Sequence, residues 1–214
     1  MKVGIIGSGV VGQTLGAKFA QLGYETKIGT RDPQKLAAWA AKVGSCASVG
    51  TPEEAAAFGD ILVLATRWGN GAAENAIRLA KPAHFAGKVV IDVTNPLDLS
   101  TGKPTLSVGY SDSGGEIVQR LLPEARVVKS FNIVSASTMV NPSQSGGDPD
   151  MFIAGNDADA KKVVTDILTQ FGWQDVVDLG GIESARYLEP LAMIWFIHMT
   201  HTKKVTHAFK LVGK

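Results

Sequence analysis

Three glycines within one hexapeptide are the residues whose spacing points most directly to chemistry. Gly7-Ser8-Gly9-Val10-Val11-Gly12 is a G-x-G-x-x-G motif that follows an apolar strand pattern and opens a helix expected from about Val10 to Leu22. Gly7 permits a tight turn, Gly9 lets the backbone approach a pyrophosphate, and Gly12 allows close helix–sheet packing, with the helix N-terminus facing the anion. In that context the motif predicts dinucleotide binding. The end of the second strand distinguishes NAD from NADP, because an acid there would bond the ribose 2′-hydroxyl and repel a 2′-phosphate. Here the chain reads Gly29-Thr30-Arg31-Asp32-Pro33-Gln34-Lys35. Thr30 stands where the acid would be, and its hydroxyl, the Arg31 guanidinium and Lys35 are expected to hold a 2′-phosphate. NADP is therefore the expected cofactor. The alternative is a solvated corner in which Arg31 pairs with Asp32, which leaves the missing acid unexplained.

In an open α/β sheet the ligand lies outside the carboxyl ends of the strands. The segments that follow the fourth, fifth and sixth strands read Ala65-Thr66-Arg67-Trp68, Thr94-Asn95-Pro96 and Phe131-Asn132-Ile133-Val134. Thr66, Asn95 and Asn132 are of the right type to bond a ribose or carboxamide, and Trp68 and Pro96 offer flat apolar surface for a ring. Asn-Pro is also a common turn, and satisfying loop backbone is the alternative role for Asn132. Tyr24, Tyr110 and Tyr187 are followed four positions later by Ile28, Gly114 and Leu191, so the Tyr/Lys acid–base pair of short-chain dehydrogenases is missing. No catalytic side chain is assigned. His198 and His201 share a helix face at i and i+3, but no carboxylate or Cys accompanies them at ligand spacing, so no metal is expected. Transfer of hydride between stacked rings needs proximity more than a general acid.

The elements that must position these residues alternate between β-rich runs and Ala-rich helical stretches. Strands are expected at Lys2 to Gly7, Glu25 to Gly29, Ser45 to Val49, Asp60 to Ala65, Lys88 to Val93, Arg126 to Phe131, Asp150 to Ala154 and Trp173 to Leu179. Ile61-Leu62-Val63-Leu64 and Val89-Val90-Ile91 are apolar without alternation, as central strands covered on both faces are. The expected fold is α/β, a Rossmann-type doubly wound and mostly parallel sheet, with a small C-terminal helical element. Thr51-Pro52-Glu53-Glu54 carries an N-cap, a first-turn Pro and the Glu of a capping box, and Asn156 or Asp157 is expected to cap another helix. Asp98 to Gly115 and Asn141 to Asp148 read as loops. Residues 1–183 form the expected NADP-binding domain. Residues 184–214 form the C-terminal element, mainly helical and ending in a basic segment with Lys203, Lys204, His207, Lys210 and Lys214, where cations suit a helix C-terminus.

Composition limits the remaining options. At 214 residues and 45% hydrophobic content the chain can bury one sizeable core with a modest appendage. Its 21 Lys and Arg against 20 Asp and Glu leave +1, so no global field invites nucleic acid or an anionic membrane. The single Cys46 excludes an internal disulfide framework and is expected to be a buried, inert thiol. Met1 leads directly into a strand pattern, which leaves no room for a signal or transit peptide and gives a cytoplasmic expectation. The run Leu188 to Met199 is interrupted by Glu189, Pro190 and His198 and is too short to cross a bilayer. Its Met193, Trp195, Phe196 and Met199 are expected to form a homodimer interface, the alternative being packing on the chain's own sheet.

Together, the glycine motif, Gly29-Thr30-Arg31-Asp32-Pro33, Lys129-Ser130-Phe131-Asn132, Ile153-Ala154-Gly155-Asn156-Asp157 and Ser184-Ala185-Arg186-Tyr187-Leu188-Glu189-Pro190 resemble the coenzyme F420-dependent NADP oxidoreductase family over nearly the whole chain. The same pattern is similar to the NADPH domain of the six-transmembrane metalloreductases. The resemblance implies NADP on the glycine loop and the Thr30-Arg31 corner, and hydride exchange with a deazaflavin stacked on the nicotinamide. Coenzyme F420, or FMN or FAD as in the metalloreductase relatives, is then the second substrate, a small-molecule ring acceptor. An imine reductase shares the first domain but needs a larger helical domain than the segment after Ser184 supplies. A non-catalytic NADPH sensor is the alternative from another class.

Overall fold

The computed structural model describes residues 1–100 and 102–213. Thr101, in the expected loop Asp98 to Gly115, and Lys214, at the end of the expected C-terminal element, lie outside the described residues. Ten strands are described: β1 (Lys2–Ile6), β2 (Glu25–Gly29), β3 (Ala47–Gly50), β4 (Ile61–Leu64), β5 (Val89–Asp92), β6 (Leu97–Asp98), β7 (Thr105–Leu106), β8 (Arg126–Lys129), β9 (Asp150–Gly155) and β10 (Asp175–Asp178). Eight of them form one sheet in the order β10-β9-β8-β5-β4-β1-β2-β3, and β6 and β7 pair as a separate antiparallel ribbon. The six strands from β3 to β8 are parallel. β9 then runs antiparallel to β8, and β10 parallel to β9. The sequence order reverses between β1 and β4, which is the crevice where an open parallel sheet takes its ligand.

The helices are α1 (Val10–Gln21), α2 (Ala37–Val43), α3 (Pro52–Phe58), α4 (Ala72–Ala80), α5 (Gly114–Leu121), α6 (Ala136–Val140), α7 (Ala158–Phe171) and α8 (Ala185–Thr202). They cover both faces of the sheet, because successive strand residues point to opposite sides. Val3, Ile5, Val63, Ile91 and Val128 pack with Leu15 and Phe19 of α1 and with Val164, Ile167 and Phe171 of α7. Ile6, Leu62, Leu64, Val90 and Val127 pack against Ala55 of α3, Ile77 of α4 and Val118 of α5. This doubly wound arrangement fixes the strand ends that carry the site.

Local signals act as expected at α3, where the Thr51 side chain accepts from the Glu54 N–H and the Glu54 carboxylate accepts from the Thr51 N–H. Asp157, rather than Asn156, caps α7 by accepting from the Ala160 N–H. Asn156 instead accepts from the Ile182 N–H. Four expectations need correction. The stretch 98–115 holds the β6–β7 ribbon and the first residues of α5, and 141–148 contains a short 3₁₀ turn, Pro142–Ser145. Cys46 is half-buried. The basic segment is not helical, since α8 ends at Thr202 and Lys203 takes φ +59°. The chain then runs back as a strap: the Trp195 indole N–H donates to the His207 carbonyl, and the Asp150 N–H to the Phe209 carbonyl. On α8 itself, Trp195 is buried and Phe196 packs on the core, so the outward apolar residues are Tyr187, Ile194 and Ile197.

Candidate nucleotide-binding site

Because the central strands are parallel and in register, their carboxyl ends line up. Ile6 stands opposite Gly29 of β2 and Leu64 of β4, Leu64 opposite Asp92 of β5, and Asp92 opposite Lys129 of β8. The segments that follow therefore share one edge of the sheet. From β2 to β8 that edge is four strand intervals wide, about 19 Å at roughly 4.8 Å each. The sequence-predicted residues Gly7 to Gly12, Thr30 to Lys35, Ala65 to Arg67, Thr94 to Pro96 and Asn132 all lie along it.

At its centre the chain leaves β1 through a turn that only glycine fits. Gly7 has φ +125°, and a Cβ there would sit 2.3 Å from the Ala65 carbonyl oxygen. A Cβ on Gly12 would sit 2.0 Å from the Gly7 carbonyl oxygen, so α1 touches the turn by backbone alone. Gly9 is the N-cap of α1 in an extended conformation, with no side-chain cap. A Cβ at Gly9 would meet nothing within 4 Å, so this helix end faces open space. Orphan N–H groups and the positive end of the helix dipole together make an anion site. Ser8 accepts at its carbonyl from the Gln13 side chain, Val10 is exposed, and Val11 is half-buried.

At the β2 end, the Thr30 N–H donates to the Gly50 carbonyl, and its hydroxyl oxygen accepts from the Asp32 N–H at 3.3 Å. The Thr30 hydroxyl hydrogen remains available for donation. Asp32 pairs with Lys35 at 3.2 Å, not with Arg31, which overturns the solvated-corner pairing. Arg31 is exposed and engages no partner among the described residues. The Lys35–Asp32 pair is itself largely exposed, so it constrains Lys35 little. Two exposed cations and the half-buried Thr30 thus stand at the place where an NAD-specific fold has an acid.

The inner end, beyond β4, β5 and β8, is buried and polar. Thr66 Oγ1, Ser130 Oγ and Asn132 Oδ1 are buried without hydrogen-bond partners. Buried polar atoms are almost always paired, so unpaired oxygens beyond the ends of β4 and β8, the two strands that flank β5, are an unusual accumulation. Asn95 and Asn132 hold each other: Asn95 Nδ2 donates to the Asn132 carbonyl at 2.8 Å, and Asn132 Nδ2 donates to Asn95 Oδ1 at 2.9 Å and to the Leu188 carbonyl at 3.0 Å. Phe131 enforces this placement with φ +64°, a conformation that costs a non-glycine residue about 1–3 kcal/mol. Its buried ring packs against Phe171.

The remaining predicted residues take other places. Thr94 is buried, and its hydroxyl and N–H both donate to Asp92 Oδ1, at 2.7 and 3.0 Å. Pro96 is buried, and its carbonyl accepts from the Ser107 N–H and hydroxyl. Ala65 is half-buried and Arg67 exposed. Trp68 does not offer a ring surface. It is 7% exposed and packs beneath the start of α5, where a Cβ on Gly114 would lie 3.3 Å from the indole. His198 stacks edge-on against His207.

Sequence reasoning missed a cluster just behind this end. Lys129 and Asp92 are fully buried, with Lys129 Nζ 3.0 Å from Asp92 Oδ2 and 2.8 Å from Glu189 Oε1. Glu189 also accepts from the N–H groups of Gly114 and Gly115 at 2.9 and 3.0 Å. Burial alone would push the Lys129 ammonium down, but the two carboxylates hold it above its ordinary range. The signal was present, because a charged residue inside an apolar buried strand must find a partner, and Asp92 and Lys129 occupy matching positions on adjacent strands.

Comparison with known proteins bears on this geometry. A family described as "NADP oxidoreductase coenzyme F420-dependent" matches residues 2–96, which span β1 through β5 and include the glycine turn. The F420-dependent NADP reductase of Methanothermobacter thermautotrophicus is 31% identical over 97% of this chain and 93% of its own length. The chain belongs to the F420-dependent NADP oxidoreductase family. A solved chain from Arthrobacter sp. FB24, provisionally named an F420-dependent NADP reductase, superposes with a TM-score of 0.94 at 38% identity over 99% of both chains. That family fold is the mostly parallel α/β sheet with its C-terminal helix described above. The rat metalloreductase STEAP3 is 30% identical over 90% of this chain, which spans 36% of the metalloreductase's length. Among the described residues no helix is long and apolar enough to cross a membrane.

Proposed function

We propose that this NADP-dependent oxidoreductase passes hydride between NADP(H) and a deazaflavin of the coenzyme F420 type, with a flavin ring (FMN or FAD) as the alternative acceptor. The observation that carries the reading is the pair of buried, unpartnered oxygens, Thr66 Oγ1 and Asn132 Oδ1, on the same sheet edge as the uncapped end of α1. They supply acceptors where a nicotinamide ribose and carboxamide present donors. In this reading the backbone of Gly7, Ser8, Gly9, Val10, Val11 and Gly12 holds the pyrophosphate, and Thr30, Arg31 and Lys35 hold the 2′-phosphate. Ala65, Thr66 and Arg67, with Thr94, Asn95, Pro96 and Asn132, enclose the nicotinamide half. Thr94 and Pro96 act there by shaping the turn, since their polar atoms are already engaged.

The nicotinamide supplies the hydride when bound, and the chain's residues orient it and exclude water. The buried Asn95–Asn132 pair and the strained Phe131 backbone give that end a fixed shape, which favours proximity over acid–base assistance. Residues 1–183 form the NADP-binding unit, and residues 184–214 an element packed on it. The name of the Methanothermobacter relative supports deazaflavin as the acceptor.

The test is anaerobic NADPH oxidation by the purified protein with F420, FMN, FAD and riboflavin offered separately, and NADH as control donor. Rapid reduction of F420 with NADPH alone is expected. Rapid reduction of a flavin instead would transfer the assignment to that ring. Tight NADPH binding without turnover on any ring would favour a sensor or an imine reductase.

A further inference from the structure

We propose that the buried Asp92–Lys129–Glu189 cluster positions the nicotinamide half of the site, and that Glu189 is the residue through which α8 sets its shape. This rests on the NADP reading above. The cluster touches the site on two sides. Asp92 Oδ2 takes the Lys129 ammonium, while its Oδ1 accepts both the N–H and the hydroxyl of Thr94. One carboxylate thereby fixes the start of the Thr94-Asn95-Pro96 turn. On the other side, Glu189 Oε1 takes the same ammonium, and the carbonyl of the preceding residue, Leu188, accepts from Asn132 Nδ2. Asn132 in turn holds Asn95. Every one of these contacts ends on, or one step behind, the Thr94-Asn95-Pro96 turn or Asn132.

The chemistry favours a positioning device over a stability device. Two carboxylates and one ammonium, all 0–1% exposed, are costly to bury, and apolar residues of similar volume often stabilise a fold as well or better. The cluster carries one excess negative charge, which the first two N–H groups of α5 offset at Glu189. It thus ties β5, β8, α5 and α8 together at one point. Each of its hydrogen bonds has a direction, which apolar packing lacks. The cluster lies entirely at the inner end and makes no contact with Thr30, Arg31 or Lys35, so its influence divides the ligand in two.

That division gives the experiment. NADPH and 2′,5′-ADP, which carries the 2′-phosphate but no nicotinamide, are titrated by calorimetry against the wild-type chain and Glu189→Gln. The substitution keeps volume and one acceptor but turns an amide N–H₂ toward the donors of Lys129 or α5. The expected result is an approximately tenfold loss of NADPH affinity, the scale of one charge-assisted hydrogen bond, with 2′,5′-ADP unchanged within about twofold. Asp92→Asn, which strikes the other arm, reads the same ratio if Glu189→Gln folds poorly. Arg186→Ala is the structural control. It removes the Arg186–Glu116 pair that also joins α8 to α5, without touching either turn, and should leave the ratio unchanged. Equal losses for both ligands, no loss for either, or the same ratio change in Arg186→Ala would overturn the proposal. A wild-type chain that binds neither ligand would overturn the NADP reading itself.

Discussion

Arg31→Ala isolates the contact that separates NADPH from NADH. Arg31 is exposed and has no partner among the described residues, so its truncation removes nothing from the folded state and should alter stability by less than about 0.5 kcal/mol. A hydrogen bond to a charged group contributes about 1.5–3 kcal/mol. At a solvated corner the lower part of that range applies, about 1.5–2 kcal/mol, or roughly 10- to 30-fold in Kd. The Thr30 hydroxyl and Lys35 remain to hold a weakened 2′-phosphate, which keeps the loss below complete. NADH has no 2′-phosphate, so its Kd should move by less than about twofold, a change of under 0.5 kcal/mol. Calorimetric titration of both nucleotides on both proteins gives the comparison, and rising salt should shrink the NADPH difference. Equal weakening of NADPH and NADH, or no weakening of either, would refute the assignment of this corner to the 2′-phosphate.

Gly12→Ala places a methyl group 2.0 Å from the Gly7 carbonyl oxygen, a backbone atom and not the end of a flexible side chain. It should cost about 1–3 kcal/mol in urea unfolding and weaken NADPH and NADH alike; wild-type stability would contradict the close approach of α1 to the turn. A second expectation concerns acid. The Arg186 hydrogen bonds hold the Glu116 carboxyl below its ordinary 4.5. That contribution is fully present above pH 4.5 and disappears as pH falls through the lower folded-state value. Arg186→Gln should therefore lower Tm near neutral pH, and the gap from wild type should close in acid; a gap independent of pH would contradict the pairing.

The strands and the glycine turn were legible because each is a local pattern. Continuous apolar runs such as Ile61 to Leu64 identify buried strands, and Thr51-Pro52-Glu53-Glu54 writes its own helix start. What escaped depended on distant partners. The β6–β7 ribbon has two residues per strand, too few for any period to register. Lys203 stops α8, and the strap that follows is held by Trp195 of α8 itself and by β9, which is far from it in sequence. Trp68 looked like a ring surface because it follows a strand end, but the start of α5 covers it. For the site, residue types at the strand ends were readable, whereas which polar atoms remain unpaired was not. Thr94 and Asn132 look equivalent in sequence, yet one is satisfied by Asp92 and the other keeps an oxygen free.

The proposed transfer of hydride directly between NADP(H) and a deazaflavin ring, without a side-chain acid or base relaying the hydrogen, can be followed by isotope. Its most direct test uses NADPH deuterated at nicotinamide C4 on the transferred face, with oxidised F420 in ordinary water, and mass spectrometry of the reduced deazaflavin. The expected result is recovery of the label at C5 of the deazaflavin when the deuterium occupies one of the two C4 positions. Reduced F420 carrying only solvent protium, with either labelled NADPH, would contradict it.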